Sequence, residues 1–282
     1  MIKLVAQSKG FNNQSAVNFR KISKVGLHDF PGAGTMFKSL GFEFYSSYHY
    51  AQPAGIPYFH DQIGRNNFAG TGSRGPCVSC HMSSAESHSF FPVTEANGQI
   101  SSINTFLCSN NNCHASGGAG NSRFDGSVKG LNTKKTGSAS ALKALTVWLT
   151  KKGITSTTNW LRTATYPADL TAAGYNQAAC TPASDRSSDI YLGSRNMGAA
   201  VNRDLVNNDP GSFVHNDLYI KRLIYDSLDW ADNCILDNSV ESAINAATNS
   251  TLFVTTSLTT TERDNAISYL LGGSGGGRPG DK

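Results

Sequence analysis

The chain has 282 residues, of which 39% are hydrophobic and 16% are charged, and its formal net charge is +4. This length allows one or two domains, although 28 glycines and many polar residues predict a loop-rich chain with only a modest core of its own. The small net charge excludes the basic surface of a nucleic-acid-binding protein, so we expect no nucleic-acid partner. No apolar run is long enough for a transmembrane segment.

The first part of the chain shows weak periodicity until a short helix, predicted at Thr35–Leu40 and ended by Gly41. An aromatic-rich stretch follows from Phe42 to Phe59. Aromatic residues at this spacing indicate either a protein core or the apolar walls that a flat ligand requires. Residues 61–76 are rich in Gly and Asn, which predicts a loop.

This loop leads into Cys77-Val78-Ser79-Cys80-His81, a C-x-x-C-H segment of the kind that attaches c-type haem. Each thiol forms a thioether to one haem vinyl group, and the histidine then becomes the proximal iron ligand. A structural zinc site and a redox-active C-x-x-C are the alternatives. Zinc requires a second ligand pair at similar spacing, and a thioredoxin-like motif requires a βαβ context that is absent. The segment therefore predicts covalent haem.

A longer version of the motif spans Cys108 to His114, with four residues between Cys108 and Cys113 instead of two. It keeps a Cys-His pair behind an upstream cysteine, and it closely follows a strict motif, so we predict two covalently attached haem c groups. Between the two motifs, Asn97-Gly98 predicts the turn of a small hairpin because both residues tolerate positive φ. Such a hairpin would bring the two haem segments alongside each other.

The second half of the chain is predicted to be more helical. Residues 115–137 predict a loop whose cations are candidate partners of haem propionates. Leucines and Trp148 at helical spacing then predict a helix that stops near Gly153. Residues 153–195 are expected to be irregular, and Leu218–Trp230 forms the best amphipathic helix of the chain.

The C-terminal region predicts two more helices. One lies around Val240–Ala247, and the other begins at a capping-box pattern from Thr259 to Glu262. The Gly-rich tail from Gly272 to Lys282 is expected to be mobile unless a partner holds it.

The predicted fold class is mainly irregular, with several α-helices and a small β-hairpin built around covalent haems. We expect a haem-attachment region at residues 1–137, a helical region packing on the haems at 138–272 and a tail at 273–282.

The sixth iron ligands are the least determined residues of the site. Five histidines lie outside the motifs: His28, His49, His60, His88 and His215. The rival ligands are Met36 and Met197, but a lone methionine is more often a core side chain. Met82 is next to His81 and cannot easily reach the opposite face of the same ring. His60 and His88 flank the first motif, and His215 precedes the strongest helix. We predict that two of these three are ligands and favour His88 and His215.

The two remaining cysteines, Cys180 and Cys234, form an even remainder, which predicts a disulfide; two unrelated buried thiols are the alternative. Covalent haem and disulfides both point to a location outside the cytoplasm, so we expect a secreted protein at the cell surface, with the periplasm as the alternative. Met1-Ile2-Lys3-Leu4 lacks the apolar stretch of a signal peptide, so we expect a mature form or a piece of a precursor.

Two segments carry a resemblance to a known family. Gly75–Met82 followed by His88-Ser89-Phe90 resembles the haem segment of extracellular multihaem c-type cytochromes from metal-reducing bacteria. Asn208–Asn216 leading into Tyr219–Ser227 resembles a C-terminal segment of the same proteins. The resemblance covers residues 40–115 and 195–272. It implies that a histidine at such a helix start ligates haem, which favours His215, and that related proteins assemble into conductive filaments. Many relatives carry several more haems.

These observations predict electron transfer by a secreted dihaem cytochrome rather than catalysis. Its expected partners are redox proteins, extracellular acceptors and other copies of the chain in a filament. The alternatives are a monomeric electron shuttle and a dihaem peroxidase. A peroxidase needs one open iron site and usually places its haems in two similar domains, whereas both motifs here lie in one short stretch.

Overall fold

The computed structural model describes most of the chain. The described residues are 31–44, 50, 58–82, 91–104, 108, 114, 124, 126–154, 168–174, 186–254, 256–273 and 275–280. The chain divides into two compact units. One comprises Gln52–Thr136, and the other comprises Met1–Ala51 together with Gly137–Lys282. The predicted division at 137/138 and 272/273 stays a prediction.

The unit of residues 52–136 contains a short helix and a small antiparallel sheet. Two 3-10 helices, His60–Gln62 and Phe68–Gly70, precede helix α2 at Pro76–His81. Strands β1 (Val93–Ala96) and β2 (Gln99–Ile103) pair with Ala96 opposite Gln99, and the register shifts by a bulge at Thr94/Glu95. The predicted hairpin is confirmed.

The hairpin turn follows from its sequence. Asn97 and Gly98 both adopt positive φ, 51° and 76°, which matches the right-handed twist of the strands it joins. The side-chain amide of Asn132 accepts from Ile100 N at 2.9 Å and donates to Ile100 O at 2.8 Å. Lys135 adds a bond to the Gly98 carbonyl at 2.9 Å. These contacts fix the hairpin on residues 128–136 of a long helix.

That helix, α3, runs over Val128–Lys151 and continues into the other unit. The predicted loop at 115–137 is therefore wrong from Val128 onward. Its local signal was weak because Gly130 and Gly137 lower helix propensity, and packing overrides them. The predicted stop is confirmed, since Gly153 adopts φ 66° just beyond the helix end.

The other unit is an assembly of helices around one apolar core. Its helices are α1 (Pro31–Met36), the later part of α3, α4 (Ala168–Ala172), α5 (Arg186–Asn208), α6 (Ser212–His215), α7 (Asp217–Asn233), α8 (Val240–Ala246) and α9 (Thr260–Leu271). Helix α7 lies at the centre and packs against α5, α6, α8 and α9. Its predicted apolar face is confirmed, because Ile220, Ile224 and Leu228 are all fully buried.

Several sequence expectations fail in this unit. The first helix begins at Pro31 rather than Thr35 and ends at Met36. Residues 186–195, expected to be irregular, are the start of α5. The described residues as a whole are mainly helical rather than irregular, with one two-stranded sheet. The core is also larger than the composition indicated, since α5 and α7 bury alanines and serines as closely as leucines.

Three side chains of the aromatic stretch after α1 pack in this core. Phe44 and Tyr50 are 6% and 3% exposed, and Phe42 packs edge-on against Phe44 with ring centroids 4.9 Å apart. The backbone of Phe42 is held at both N and O by the Asn202 amide, at 2.6 and 2.9 Å. Phe44 and Tyr50 are therefore core residues, and the partly buried Phe42 packs against the core.

The Gly-rich tail folds back onto α7. Arg278 is 5% exposed and makes a two-bond ion pair with Asp226, with Nε–Oδ1 at 2.7 Å and Nη2–Oδ2 at 2.8 Å. Arg222 donates to the Pro279 carbonyl at 2.7 Å, and Gly275 N donates to Glu241 at 2.7 Å. The expectation of a mobile tail is wrong for its described residues, because charge pairing holds them.

Among the described residues, no helix combines the length and the apolar character needed to cross a membrane.

Candidate haem-binding site

Helix α2 places the residues of the first motif on one side. Pro76 starts the helix at its first turn, after Gly75 at φ 83°, and His81 lies in the last turn. Residues three and four apart share a helix face, so Cys77, Cys80 and His81 project together. Cys77 is exposed, whereas Cys80 and His81 are half-buried. This arrangement lets both thiols and the imidazole reach one flat ligand.

A tight loop at residues 64–75 packs against α2. Gly75 N donates to Gly64 O at 2.8 Å, and Gly64 N donates to Thr71 Oγ1 at 2.8 Å. Gly64 has φ 66°, and a Cβ there would lie 2.4 Å from Ser79 Oγ and 2.5 Å from Gly75 O. Only glycine fits this position, so the loop and α2 form one packed substructure.

In the second motif, as in the helix of the first, a backbone hydrogen bond joins the histidine to the upstream cysteine. In an α-helix the amide of residue i+4 donates to the carbonyl of residue i, which is the relation between Cys77 and His81. In the longer motif, His114 N donates to Cys108 O at 3.0 Å across a separation of six. His114 therefore returns to its upstream cysteine despite the two extra residues of the motif.

The His114 ring is oriented by its surroundings. Its Nδ1 lies 3.1 Å from the carbonyl oxygen of Phe124, and the two rings pack with centroids 5.0 Å apart. A ring nitrogen that donates to a carbonyl fixes the tautomer in which Nε2 carries the lone pair. Metal-ligating histidines are usually held in this way. Phe124 was not identified from the sequence, because nothing in a loop residue marks its carbonyl as a partner.

His60 lies next to this ring. The centroids of His60 and His114 are 6.0 Å apart and their planes are nearly perpendicular, at 80°. Two imidazoles on opposite sides of one metal ion would have centroids roughly 6 Å apart, because each metal–nitrogen bond is about 2 Å long. The two imidazoles are therefore near enough to hold the same iron ion.

Tyr58 completes the surroundings of His60. Its ring centroid is 5.5 Å from that of His60, and burial raises the pKa of Tyr58, with Asp61 and Cys80 acting in the same direction. The effect of Cys80 on the pKa of Tyr58 indicates that the first motif lies near this group of side chains. The His60–Gln62 turn also packs against α2.

The donors of this unit fit covalent haem. Cys77, Cys80 and Cys108 carry free thiols, as thioether formation requires. No group of three or more potential metal-binding side chains occurs within the described residues, so a compact zinc cluster is not seen there. The apolar surfaces beside the donors come from aromatic rings such as Tyr58 and Phe124. The residues present thus suit a flat apolar ligand held by two thioethers and a histidine.

His215 lies in the helical unit, at the end of α6. Its Nδ1 is 2.8 Å and 3.0 Å from the two carboxylate oxygens of Asp209, which is 2% exposed. The sequence identified His215 as a candidate ligand but not Asp209 as its partner, because a six-residue separation across a turn has no simple periodic signal.

The remaining predicted residues fall into two groups. His88, Cys113 and Cys180 lie outside the described residues, so their predicted roles stay predictions. Met36 and Met197 are 6% and 2% exposed and lie in the helical core, as the preference for a core role anticipated.

Two further expectations concern Cys234 and the cations of residues 115–137. Cys234 is 5% exposed, with its Sγ 3.1 Å from Lys152 Nζ, and it is not among the free thiols. Of the cations, Lys135 pairs with Glu95 at 2.8 Å.

Comparisons with known proteins agree with these features. No family model matches the chain. The chain is 34% identical over 232 residues to the C-type polyheme cytochrome OmcC of Geobacter sulfurreducens, a match covering 79% of this chain and 28% of that protein. It is 33% identical over 237 residues to the C-type polyheme cytochrome OmcB of the same species, covering 80% and 30%. No solved structure matches.

The predicted resemblance to multihaem c-type cytochromes of metal-reducing bacteria is therefore confirmed. The chain spans less than a third of the length of these relatives. Both relatives are named as C-type polyheme cytochromes.

Proposed function

We propose that this chain transfers electrons through two covalently attached haem c groups. The residues that hold them are those of the two motifs: Cys77, Cys80 and His81 for one, and Cys108, Cys113 and His114 for the other. Bound haem iron supplies one-electron exchange between its ferric and ferrous states. The observation that carries this proposal is the pairing of His60 with His114, near enough to hold the same iron ion, beside a motif whose backbone contact matches that of a C-x-x-C-H helix.

Mass spectrometry after acid–acetone extraction tests the haem number. The mass should exceed that of the polypeptide by two haems, because thioethers survive extraction. A Cys113→Ser variant should lose one haem or hold it by a single thioether, whereas a Ser109→Ala control should keep both. A wild-type mass with one haem would remove the second site, and a mass with none would refute the proposal.

For the second haem we infer that His60 is the sixth ligand, opposite His114. Their ring separation and the orientation of His114 by Phe124 support this assignment. Two strong imidazole donors make an iron low-spin and close it to substrates. The His60→Ala variant should show a high-spin ferric band that a His49→Ala control lacks. An unchanged spectrum would assign the sixth ligand elsewhere.

His88 and His215 remain proposed ligands for the other site. His215→Ala and His88→Ala should each be compared with the same control for a change in spin state. A high-spin iron in the unmodified protein, together with turnover of peroxide, would instead favour the dihaem peroxidase.

The proposed location is outside the cytoplasm, at the cell surface or in the periplasm. The covalent haem motifs support it, and so does the predicted Cys180–Cys234 bridge, since disulfides persist in oxidising compartments. Such a bridge would contribute roughly 3–4 kcal/mol. Non-reducing peptide mapping should recover the two cysteines in one linked peptide pair. Alkylation of both thiols without prior reduction would rule the bridge out.

The proposed partners are redox proteins, external acceptors and other copies of the chain. Two haems in a 30.0 kDa protein cover a short distance, so long-range transfer requires haems of another molecule. Head-to-tail contacts that do not close into a ring produce open filaments. Electron microscopy of the purified protein at high concentration should show ordered fibres. Dispersed small particles alone would favour a monomeric shuttle.

A further inference from the structure

The ends of α3 and α7 bring a lysine into contact with a cysteine inside the helical unit. Lys152 Nζ donates to Cys234 Sγ at 3.1 Å, and the two residues are 9% and 5% exposed. The Lys152 amide donates to Trp148 O at 3.0 Å, and the Cys234 amide donates to Trp230 O at 2.9 Å. Both tryptophans are fully buried. Because the two helix ends are fixed in the core, the contact between nitrogen and sulfur is part of the fold.

The charged groups near this contact lie on α7. Asp232 acts electrostatically on Lys152, and Asp229 acts on Asp232. Ser239 Oγ donates to the Asp232 carboxylate at 2.7 Å. The Asp229 carboxylate accepts from the backbone amides of Asn238 and Ser239 at 3.1 and 2.7 Å. Both carboxylates are therefore held by the segment that follows α7, while Lys152 Nζ points at the sulfur.

A cation beside a cysteine sulfur favours the thiolate. A thiolate carries a full negative charge, whereas the sulfur of a disulfide is neutral and a weak acceptor. The contact between Lys152 and Cys234 therefore becomes stronger when a bridge at Cys234 is reduced. Burial lowers the pKa of Lys152 to about 7, with Asp232 opposing this effect. At neutral pH the amine can therefore accept the proton that the Cys234 thiol gives up.

We infer that Cys234 and its predicted partner Cys180 form a thiol-exchange site, in which Lys152 stabilises Cys234 as the leaving thiolate. The substrate class is a small dithiol. This inference rests on the bridge proposed above, and Cys234 is not among the free thiols. It makes the bridge a redox-sensitive link rather than a permanent one.

The exchange consists of two displacements on sulfur. Because Cys234 is buried, a thiolate of the dithiol attacks the Cys180 sulfur; a new S–S bond forms, and the old bond breaks with its electron pair on Cys234 Sγ. The second dithiol sulfur then displaces Cys180 and closes a cyclic disulfide. The dithiol loses two electrons and two protons, of which Cys180 and Lys152 take one proton each. A leaving thiolate of lower pKa departs faster, so Lys152 should raise the rate of reduction as well as its extent.

The test is the thiol–disulfide equilibrium of the whole protein with reduced and oxidised dithiothreitol at neutral pH. Acid quenching, alkylation with N-ethylmaleimide and peptide mass mapping of Cys180 and Cys234 measure the reduced fraction. Lys152→Met removes the charge, and Lys151→Met is the matched control, because Lys151 pairs with Asp169 at 2.5 Å. Lys152→Met should shift the equilibrium about tenfold toward the disulfide, which lowers the midpoint potential of this two-electron couple by about 30 mV. Lys151→Met should match the wild type.

The outcomes separate the inference from the proposed electron transfer. Equal equilibria in the wild type and Lys152→Met overturn the inference. Alkylation of both cysteines in the wild type without reductant also overturns it and removes the bridge from the proposed function. The pyridine haemochrome measures haem content independently of the thiols. A wild type without haem refutes the proposed electron transfer, whereas a tenfold shift in Lys152→Met supports the inference in either case.

Two further variants keep the test decisive should Lys152→Met not fold. Lys152→Gln keeps much of the length of the side chain without its charge, so its bridge should also be harder to reduce. Lys152→Arg keeps the charge and should stay close to the wild type. An equilibrium in Lys152→Arg shifted as far as that in Lys152→Gln would overturn the inference, because the charge would then have no effect on the bridge.

Discussion

Arg278→Met tests the structural account of the C-terminal tail. The Arg278 guanidinium is 4% exposed and the Asp226 side chain is fully buried, so their ion pair is shielded from water. Tyr50 donates its hydroxyl to the same carboxylate, and the Arg278 guanidinium lies 5.0 Å from the centre of the Tyr50 ring. Methionine keeps much of the length of the side chain and removes the charge and both hydrogen bonds.

The expected loss follows from leaving Asp226 charged and buried. Removing one partner of a buried ion pair costs about 3–5 kcal/mol, because the other charge loses its compensation. A loss of about 1 kcal/mol lowers the Tm of a unit of 150–250 residues by roughly 2–4 °C. We therefore expect a fall of roughly 6–20 °C. The double variant Arg278→Met/Asp226→Leu should recover at least half of this loss, because no buried charge remains.

Urea denaturation followed by circular dichroism measures the difference. Arg263→Met is the matched control: its partner Asp264 is 2.6 Å away, but their side chains are 34% and 60% exposed. An exposed pair contributes about 0–1 kcal/mol. A loss below about 1 kcal/mol in Arg278→Met, or a double variant no more stable than the single one, would refute the reasoning.

Three further predictions concern single positions. Burial lowers the pKa of Lys152 to about 7. Between about pH 7 and pH 10 the unfolded chain therefore binds more protons than the folded chain, and the free energy of unfolding should rise with pH. Urea titrations should show a rise of up to about 1.4 kcal/mol per pH unit in the wild type and in Lys151→Met, and no such rise in Lys152→Met. Thr259→Ala removes the capping box and should cost about 1 kcal/mol in the same assay, whereas Thr260→Ala should be nearly neutral. Gly98→Ala imposes positive φ on alanine at a cost of about 1–2 kcal/mol. Amide hydrogen exchange in the hairpin should therefore accelerate by roughly 5–30-fold. Unchanged exchange would contradict the turn assignment.

The features that could be predicted from the sequence are those set by neighbouring residues. The Asn97–Gly98 turn, the capping box at Thr259 and the buried face of α7 all depend on contacts within a few residues. The tail could not be predicted, because Arg278 finds its partner 52 residues away and a Gly-rich segment carries no local preference for that contact. Helix α5 was missed at its start because serine and aspartate there favour caps and turns over helix interiors.

The candidate site likewise contains some features that the sequence predicts and others that it does not. The cysteines and proximal histidines follow from covalent chemistry, whose spacing is set by consecutive residues. The pairing of His60 with His114 and of Asp209 with His215 depends on how the backbone turns between them. From the sequence alone, His60 and His215 are both candidates for a sixth ligand. The folded chain distinguishes them by the partner that holds each ring.

The contact between Asn132 and Ile100 limits how molecules of this chain can adhere to one another. An edge strand with open N–H and C=O groups is a template for pairing with a strand of another molecule. On β2 the two groups of Ile100 are already occupied by one side-chain amide of the same chain. A foreign strand could pair there only after both intramolecular bonds break. Intermolecular sheet growth at this point of the β2 edge is therefore opposed.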